Sequence, residues 1–202
     1  DVQVTTICYG TQSAGGVGEA ECPTATAVSL NYIINAKKAE VKGAEFGLVI
    51  RPADVLTLNL NYAYADSKFK DFAARDVYPA PAGTDRQFGG NAMPLVAKHS
   101  LSGSIRVEDE IANDVSAFVE LSARYRSSRY ARFDNRVLLA GKTVADVQFG
   151  LKGDDWSGLI FVDNIFNEMT PDFARYWGSH NPGFGRPNGE FITAPAKRSF
   201  GV

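Results

Sequence analysis

The stretch Asp54-Val-Leu-Thr-Leu-Asn-Leu-Asn-Tyr-Ala-Tyr-Ala-Asp66 alternates without a break. Leu56, Leu58, Leu60, Tyr62 and Tyr64 fall on one side of an extended chain, and Thr57, Asn59, Asn61, Ala63 and Ala65 on the other. Such a strand has one apolar face and one wet face. The pattern ends in two tyrosines and recurs in segment after segment of about ten residues, as in a membrane β-barrel with lipid outside and water inside.

Working outward, Gly43 to Arg51 puts Ala44, Phe46, Leu48 and Ile50 on one face and Gly43, Glu45, Gly47 and Arg51 on the other. Pro52-Ala53-Asp54 is expected to be a tight connection, because proline cannot continue a hydrogen-bonded ladder. His99 to Val107 sends Leu101, Gly103, Ile105 and Val107 outward and Ser100, Ser102, Ser104 and Arg106 inward. The acidic string EDEIAND, Glu108 to Asp114, is expected as the next turn. Val115 to Tyr125 and Thr143 to Lys152 alternate in the same way, the first with Glu120, Arg124 and Arg126 inward, the second with Asp146 and Gln148 inward. Leu159 to Val162 is a continuous apolar run and fits less cleanly. Val2 to Ile7 is a short β-branched strand, and the terminal RSFGV resembles the start of a strand.

Connection lengths alternate as well. Long connections are expected at Cys8 to Asn35, Lys68 to Pro94 and Thr170 to Thr193, an intermediate one at Asp134 to Lys142, and short ones at Pro52, at Glu108 to Asp114 and at Gly153 to Ser157. Short periplasmic turns and long extracellular loops are the habit of outer-membrane barrels, so the long connections are assigned outward. About eight strand segments result.

Composition narrows the function classes. The 202 residues carry 21 Lys+Arg against 23 Asp+Glu, a net charge of −2, which leaves no basic field for nucleic acid. No apolar run approaches the roughly 18 residues of a spanning helix. Mean hydropathy is slightly below zero, as a wall that is apolar only at alternate residues allows. G-x-S-x-G, H-E-x-x-H and P-loop motifs are absent, and the GGVGE string lies in a Cys-bounded loop, so no enzyme is expected. The N-terminus has neither a charged start nor an apolar signal core, and both ends look like interruptions of a longer polypeptide.

Several strings then carry a family resemblance. NAKKAEVKGAEFGLVIRPADVLTLNLNYAYADSKFKDF, Asn35 to Phe72, resembles the late-barrel segment of TonB-dependent outer-membrane receptors: an N-A-x-K-A-x-x-K-G-x-E strand, an R-P-x-D turn and an L-x-L-x-x-x-Y-x-Y strand. MPLVAKHSLSGSI is similar to the family's P-x-x-P-K-H segment, with Ala97 where a second proline is common. FVDNIFNE resembles its V-x-N-L-F-N/D segment, and PAKRSFGV its final P-R-x-F-G-V strand. The resemblance covers Asn35 to Val202.

The resemblance implies an all-β fold, a transmembrane antiparallel barrel of twenty-two strands, of which residues 1–202 would supply the C-terminal part. A plug domain and TonB box would lie outside this chain. It further implies a multi-pass protein of the cell outer membrane that takes up a scarce nutrient, by default a ferric siderophore. Its partners would be the TonB–ExbB–ExbD system through the N-terminal region, lipid and lipopolysaccharide, and the nutrient itself. No cofactor and no metal site are implied. The alternatives are a self-contained eight-stranded barrel acting as adhesin or structural anchor, and a soluble β-sandwich binding module.

Candidate residues follow from composition and place. Cys8 and Cys22 bound one Gly-rich outer loop, and in an oxidising envelope a disulfide between them would be worth up to about 3 kcal/mol, with two free thiols as the alternative. The string RYWGSHNPGFGRPNGEF offers Arg175, Tyr176, Trp177, His180 and Arg186 for a polar or flat ligand, against simple packing on neighbouring loops or on lipopolysaccharide. Arg86 lies in the preceding long loop. RYRSSRYARFDNR concentrates five arginines from Arg124 to Arg136, with Arg129 and Arg132 the nominated contacts for an anionic ligand. The competing reading pairs them with Asp134, Glu120 and Asp146 or with lipopolysaccharide phosphates. His99 is expected to be a solvated surface histidine. Tyr62, Tyr64, Tyr125 and Trp156 are expected in the aromatic girdles.

Overall fold

The structure is a computed structural model that describes residues 2–8, 30–75, 85–177 and 189–202, and side chains over 36–74, 86–174 and 192–202. The strands among the described residues are β1 (Val2–Cys8), β2 (Leu30–Ala36), β3 (Lys38–Ala53), β4 (Leu56–Asp71), β5 (Ala73–Arg75), β6 (Asp85–Gln87), β7 (His99–Ala112), β8 (Val115–Arg126), β9 (Arg129–Tyr130), β10 (Leu138–Leu139), β11 (Lys142–Lys152), β12 (Ser157–Asp163), β13 (Ala174–Trp177), β14 (Gly189–Ile192) and β15 (Ser199–Gly201). All pairings among the described residues are antiparallel. None of those residues is helical.

Seven strands form one meandering sheet in the order β15-β12-β11-β8-β7-β4-β3. Each strand pairs with its sequence neighbour in the sheet, as short turns at one end dictate. The register carries the apolar alternation across strands: Phe46, Tyr62, Leu101 and Tyr125 lie in one row, and Ile50, Leu58, Ile105, Leu121, Val147, Val162 and Phe200 in another. The opposite face carries Asn59, Ser104, Ser122 and Asp146 in one row and Asn61, Ser102 and Arg124 in the next. A one-residue slip on any strand would exchange these faces, so the pattern itself pins the register. The apolar run of β12 resolves the same way, because Ile160 faces Phe149 and Val162 faces Val147 on the outer side while Leu159 and Phe161 turn inward.

The described residues do not close a barrel. Among the described residues β3 pairs only with β4 and β15 only with β12 within the sheet, so each leaves one edge open. The expected eight or so segments correspond to the seven strands of this wall together with the β1–β2 pair, which continues β3 beyond Lys37.

Strand ends depart from the sequence-based expectation in three places. Pro52 lies inside β3, where a register shift between Ile50 and Ala53 takes up the missing donor and moves the turn to Asp54-Val55. EDEIAND is mostly strand: β7 runs to Ala112 through a shift between Glu110 and Ala112, and the turn is Asn113-Asp114, with Asp114 at φ 60°. The Lys68 to Pro94 connection contains strand, since β4 extends to Asp71 and the β5–β6 pair follows. At about 3.4 Å per residue, the 16 residues of β4 are long enough to cross a hydrocarbon layer at a tilt and project beyond it.

Candidate functional site

The inner face of the wall is an ion-pair and hydrogen-bond ladder. Asn59 Nδ2 donates to Ser104 Oγ at 3.0 Å. Arg106 donates to Glu108 at 2.9 Å and to Glu120 at 3.2 Å, while its guanidinium lies 3.7 Å from the centre of the Phe118 ring. Phe118 in turn covers Gly150, where a Cβ would collide with the ring. Higher up, Arg124 donates to Asp146 at 2.9 Å, and the other Asp146 oxygen accepts the backbone N–H of Asn164 at 2.8 Å. These groups demand water or polar partners along the lumen.

The outer face changes character along the same strands. Above the apolar rows stand Tyr62, Tyr64, Tyr125 and His99, and Tyr62 Oη and His99 Nδ1 share a hydrogen bond at 2.8 Å. His99, expected as a solvated surface histidine, is partly exposed and lies beside the tyrosines, 6.2 Å from the Tyr62 ring and 5.4 Å from the Tyr64 ring. One turn further, Glu40, Lys42, Asp66, Lys68, Lys70 and Lys98 form a band of ion pairs. Tyrosine below and charge above are what a membrane–water boundary requires. At the opposite end Trp156 lies across Gly153 in the 153–156 turn and is half exposed.

Above the wall on its inner side sits a mouth with a dry core. Phe69, Phe72, Phe88 and Phe133 are buried together, with ring centres 4.8 to 5.7 Å apart. Asn135, at φ 52°, ties this core to the preceding segment: its Oδ1 accepts from Ala92 N–H at 2.8 Å and its Nδ2 donates to Ala92 O at 2.9 Å. A smaller cluster joins Ala131, Leu139 and Ala174. Asn164, also at φ 52°, clasps the segment after β12, exchanging hydrogen bonds with Glu168 and donating to Ala196 O at 2.9 Å.

Beside that core three cations converge on one carboxylate. Lys142 Nζ donates to Asp172 Oδ2 at 2.8 Å, Arg126 Nη2 donates to Asp172 Oδ1, and Arg129 Nη2 donates to the Asp172 carbonyl at 2.6 Å. The Asp172 carboxyl is held below the usual carboxylate range, first by the Lys142 hydrogen bond and then by Arg126. Burial lowers the Arg129 guanidinium from its ordinary value, and neighbouring Arg126 adds to that, against Asp172.

The nominated residues scatter across this arrangement. Arg129 belongs to the Asp172 cluster. Arg132 instead pairs with Asp134 at 3.6 Å and lies over Phe133, and Arg86 lies 5.7 Å from the centre of the Phe88 ring. Arg175, Tyr176 and Trp177 are in β13, opposite Phe191, Glu190 and Gly189 of β14. Their side chains, like His180 and Arg186, lie outside the described residues. Cys8 stands opposite Leu30 in the β1–β2 pair, and Cys22 lies outside the described residues. Of the competing pairings, Arg124 with Asp146 and Arg132 with Asp134 are present, while Glu120 pairs with Arg106, outside that arginine run. Lys142 and Asp172 were missed. Lys142 could have been found from strand parity, since it is the register partner of Arg126, but no local pattern marks Asp172.

The family model described as TonB dependent receptor-like, beta-barrel matches residues 1–165. No curated protein matches the chain in sequence. Solved structures similar to it include the ferric yersiniabactin uptake receptor FyuA from Yersinia pestis, at 17% identity and a TM-score of 0.66, over 84% of this chain and 23% of that one. The siderophore receptor PiuA from Acinetobacter baumannii is similar at 17% identity and a TM-score of 0.61, over 80% of this chain and 21% of that one. The ferric preacinetobactin receptor BauA from the same organism is similar at 12% identity and a TM-score of 0.58, over 98% of this chain and 25% of that one. The chain thus spans about a quarter of the length of these structures.

Proposed function

The chain belongs to the TonB-dependent receptor-like β-barrel family, and from that premise we propose that it is the C-terminal barrel portion of an outer-membrane receptor importing a scarce nutrient, by default a ferric siderophore. The observation that carries this reading is the two-sided wall with open edges. Its outer rows are apolar and end in tyrosine, its inner rows carry Asn59, Arg106, Glu120, Arg124 and Asp146, and among the described residues β3 and β15 each leave an edge for further strands. A lumen this polar suits a wide barrel that encloses a plug. A seven- or eight-stranded barrel has an interior only wide enough for packed side chains, which disfavours a self-contained anchor or adhesin.

In this reading the twenty-two-stranded barrel is completed by the rest of a longer polypeptide, and TonB–ExbB–ExbD pulls on the plug to let the nutrient pass. The mouth above the inner face collects the ligand, with Arg86, Arg129, Arg132 and the Arg175 to Arg186 segment as contacts. Tyr62, Tyr64 and Tyr125 face the lipid boundary on one side and Trp156 on the other, and lipopolysaccharide meets the charged band above Tyr64. A Cys8–Cys22 disulfide closes the first outer loop.

The test is uptake by a strain lacking the full-length gene, compared with its parent across labelled ferric chelates, cobalamin and glycans. Loss of one uptake, restored by the full-length gene, is the expected result. Unchanged uptake of all of them overturns nutrient import.

A further inference from the structure

We propose that Arg126, Arg129 and Lys142 form a seat for an anionic oxygen group, a carboxylate or phosphate of the soluble ligand, and that Asp172 stands in for that group. The proposal rests on the receptor reading for the idea that the anion is cargo, but the seat itself stands on geometry. Three cations meet a single carboxylate, and even with Glu168, whose carboxyl Lys142 also draws down, positive charge exceeds negative here among the described residues. The donors outnumber what Asp172 can accept. The Arg129 side chain is only 3% exposed, and its Nη1, together with Arg126 Nε, is buried without a hydrogen-bond partner among the described residues. Buried guanidinium donors left unsatisfied are uncommon in native proteins and mark places where a further acceptor belongs.

Asp172 offers two carboxylate oxygens and a carbonyl, all already in use. A phosphate, or a ligand with neighbouring carboxylates, brings more oxygens and more charge to the same donors. Access is available from the Asp172 side, since that side chain is 54% exposed while Arg129 and Lys142 beneath it are 3% and 14% exposed. Binding is therefore an exchange in which the incoming anion displaces the Asp172 carboxylate and frees the segment that carries it.

The face decides the source of the anion. Arg126 is the register partner of Ser100 and Lys142, in the inner row, whereas Tyr125 beside it faces Leu101 on the outer side. A lipid headgroup would approach the outer band. A soluble ligand entering the mouth approaches the inner one.

The experiment is a calorimetric titration of citrate and of inorganic phosphate into the full-length receptor in detergent micelles, with and without added lipopolysaccharide. One or both probes bind the native protein. Arg129→Gln weakens binding about tenfold or more, Arg129→Lys weakens it less, and Asp172→Asn tightens it several-fold because the internal competitor loses its charge. A purely structural clamp makes the opposite prediction for Asp172→Asn, which would then weaken binding or leave it unchanged, and that result overturns the seat. So does the absence of binding to both native protein and Asp172→Asn. Loss of probe binding on adding lipopolysaccharide overturns the soluble source. Should Arg129→Gln fail to fold, the sign of the Asp172→Asn effect decides alone. Anion binding that persists where uptake of every nutrient is unchanged refutes import but not the seat, and uptake without anion binding refutes only the seat.

Discussion

The wall and the mouth of this molecule bury opposite things. In the wall, large apolar side chains are the exposed ones, Phe46 at 54%, Ile105 at 49% and Val119 at 47%, while in the mouth Phe69 and Phe72 are fully buried. The same residue types obey different solvents. The wall gains nothing by hiding its leucines, because lipid is as apolar as a protein core. The mouth stands in water, and its loops must build a core of their own to be ordered at all. Segments that pack Phe69, Phe72, Phe88 and Phe133 against one another are not mere connections between strands.

The sharpest way to separate the two regions is to remove one ring from the mouth. Phe72→Ala should cost about 3–5 kcal/mol, because the side chain is fully enclosed by Phe69, Phe88 and Phe133. The loss should be local. Hydrogen exchange on the full-length protein should show lost protection at Phe69, Phe88 and Asn91, whose backbone bonds knit this core, and unchanged protection in β7 and β8. An equal loss in the wall strands would mean that the mouth and wall are one cooperative unit.

The next effect tests the wall. Ile105→Arg places a charge in the outer row between Leu58 and Leu121 and should destabilise by about 2–4 kcal/mol in lipid vesicles. Ser104→Arg, one residue away on the inner face beside Asn59 and Ser122, should change stability by less than about 1 kcal/mol. Urea unfolding of the two variants would measure the difference. Equal costs would contradict the assignment of faces.

The wall was legible in the sequence and the mouth was not, for a physical reason. Period-two alternation is a local signal, and lipid on one side and water on the other keep it clean from Ala44 through Leu151. The mouth depends on residues brought together from far apart: Phe72 with Phe133, Lys142 with Asp172, Asn91 Nδ2 with Phe133 O. The arginine run from Arg124 to Arg136 looked like one patch, but different heights along the inner face of β8 and the turn after it send its members to different acceptors. Arg124 goes to Asp146, Arg126 and Arg129 go to Asp172, and Arg132 goes to Asp134. The FVDNIFNE string was recognised as a family motif without its cause. That cause is Asn164, whose positive φ and amide clasp hold the segment between β12 and Thr170 against Ala196.

The smallest effect concerns the tie between the two regions. Asp172 joins the 170–173 segment to Arg126 at the end of β8 and to Lys142 at the start of β11, and its carboxyl is held below the ordinary value of 3.8, mainly by Lys142 and then by Arg126. A depressed carboxylate contributes stability that is complete above its unfolded value and is lost as pH falls through its folded value. The tie should therefore persist on acidification past the range where ordinary aspartates titrate and release only below it. The side chain is half exposed, so solvent screening keeps the contribution small. Amide exchange at Thr193, whose N–H donates to the Phe173 carbonyl, expressed relative to β8 amides at each pH, should rise only in that acid window. Asp172→Asn should show the raised ratio already at neutral pH and no further change on acidification. A native protein whose ratio shifts near neutral pH, or in parallel with Asp172→Asn, would show that something other than this carboxylate joins the mouth to the wall.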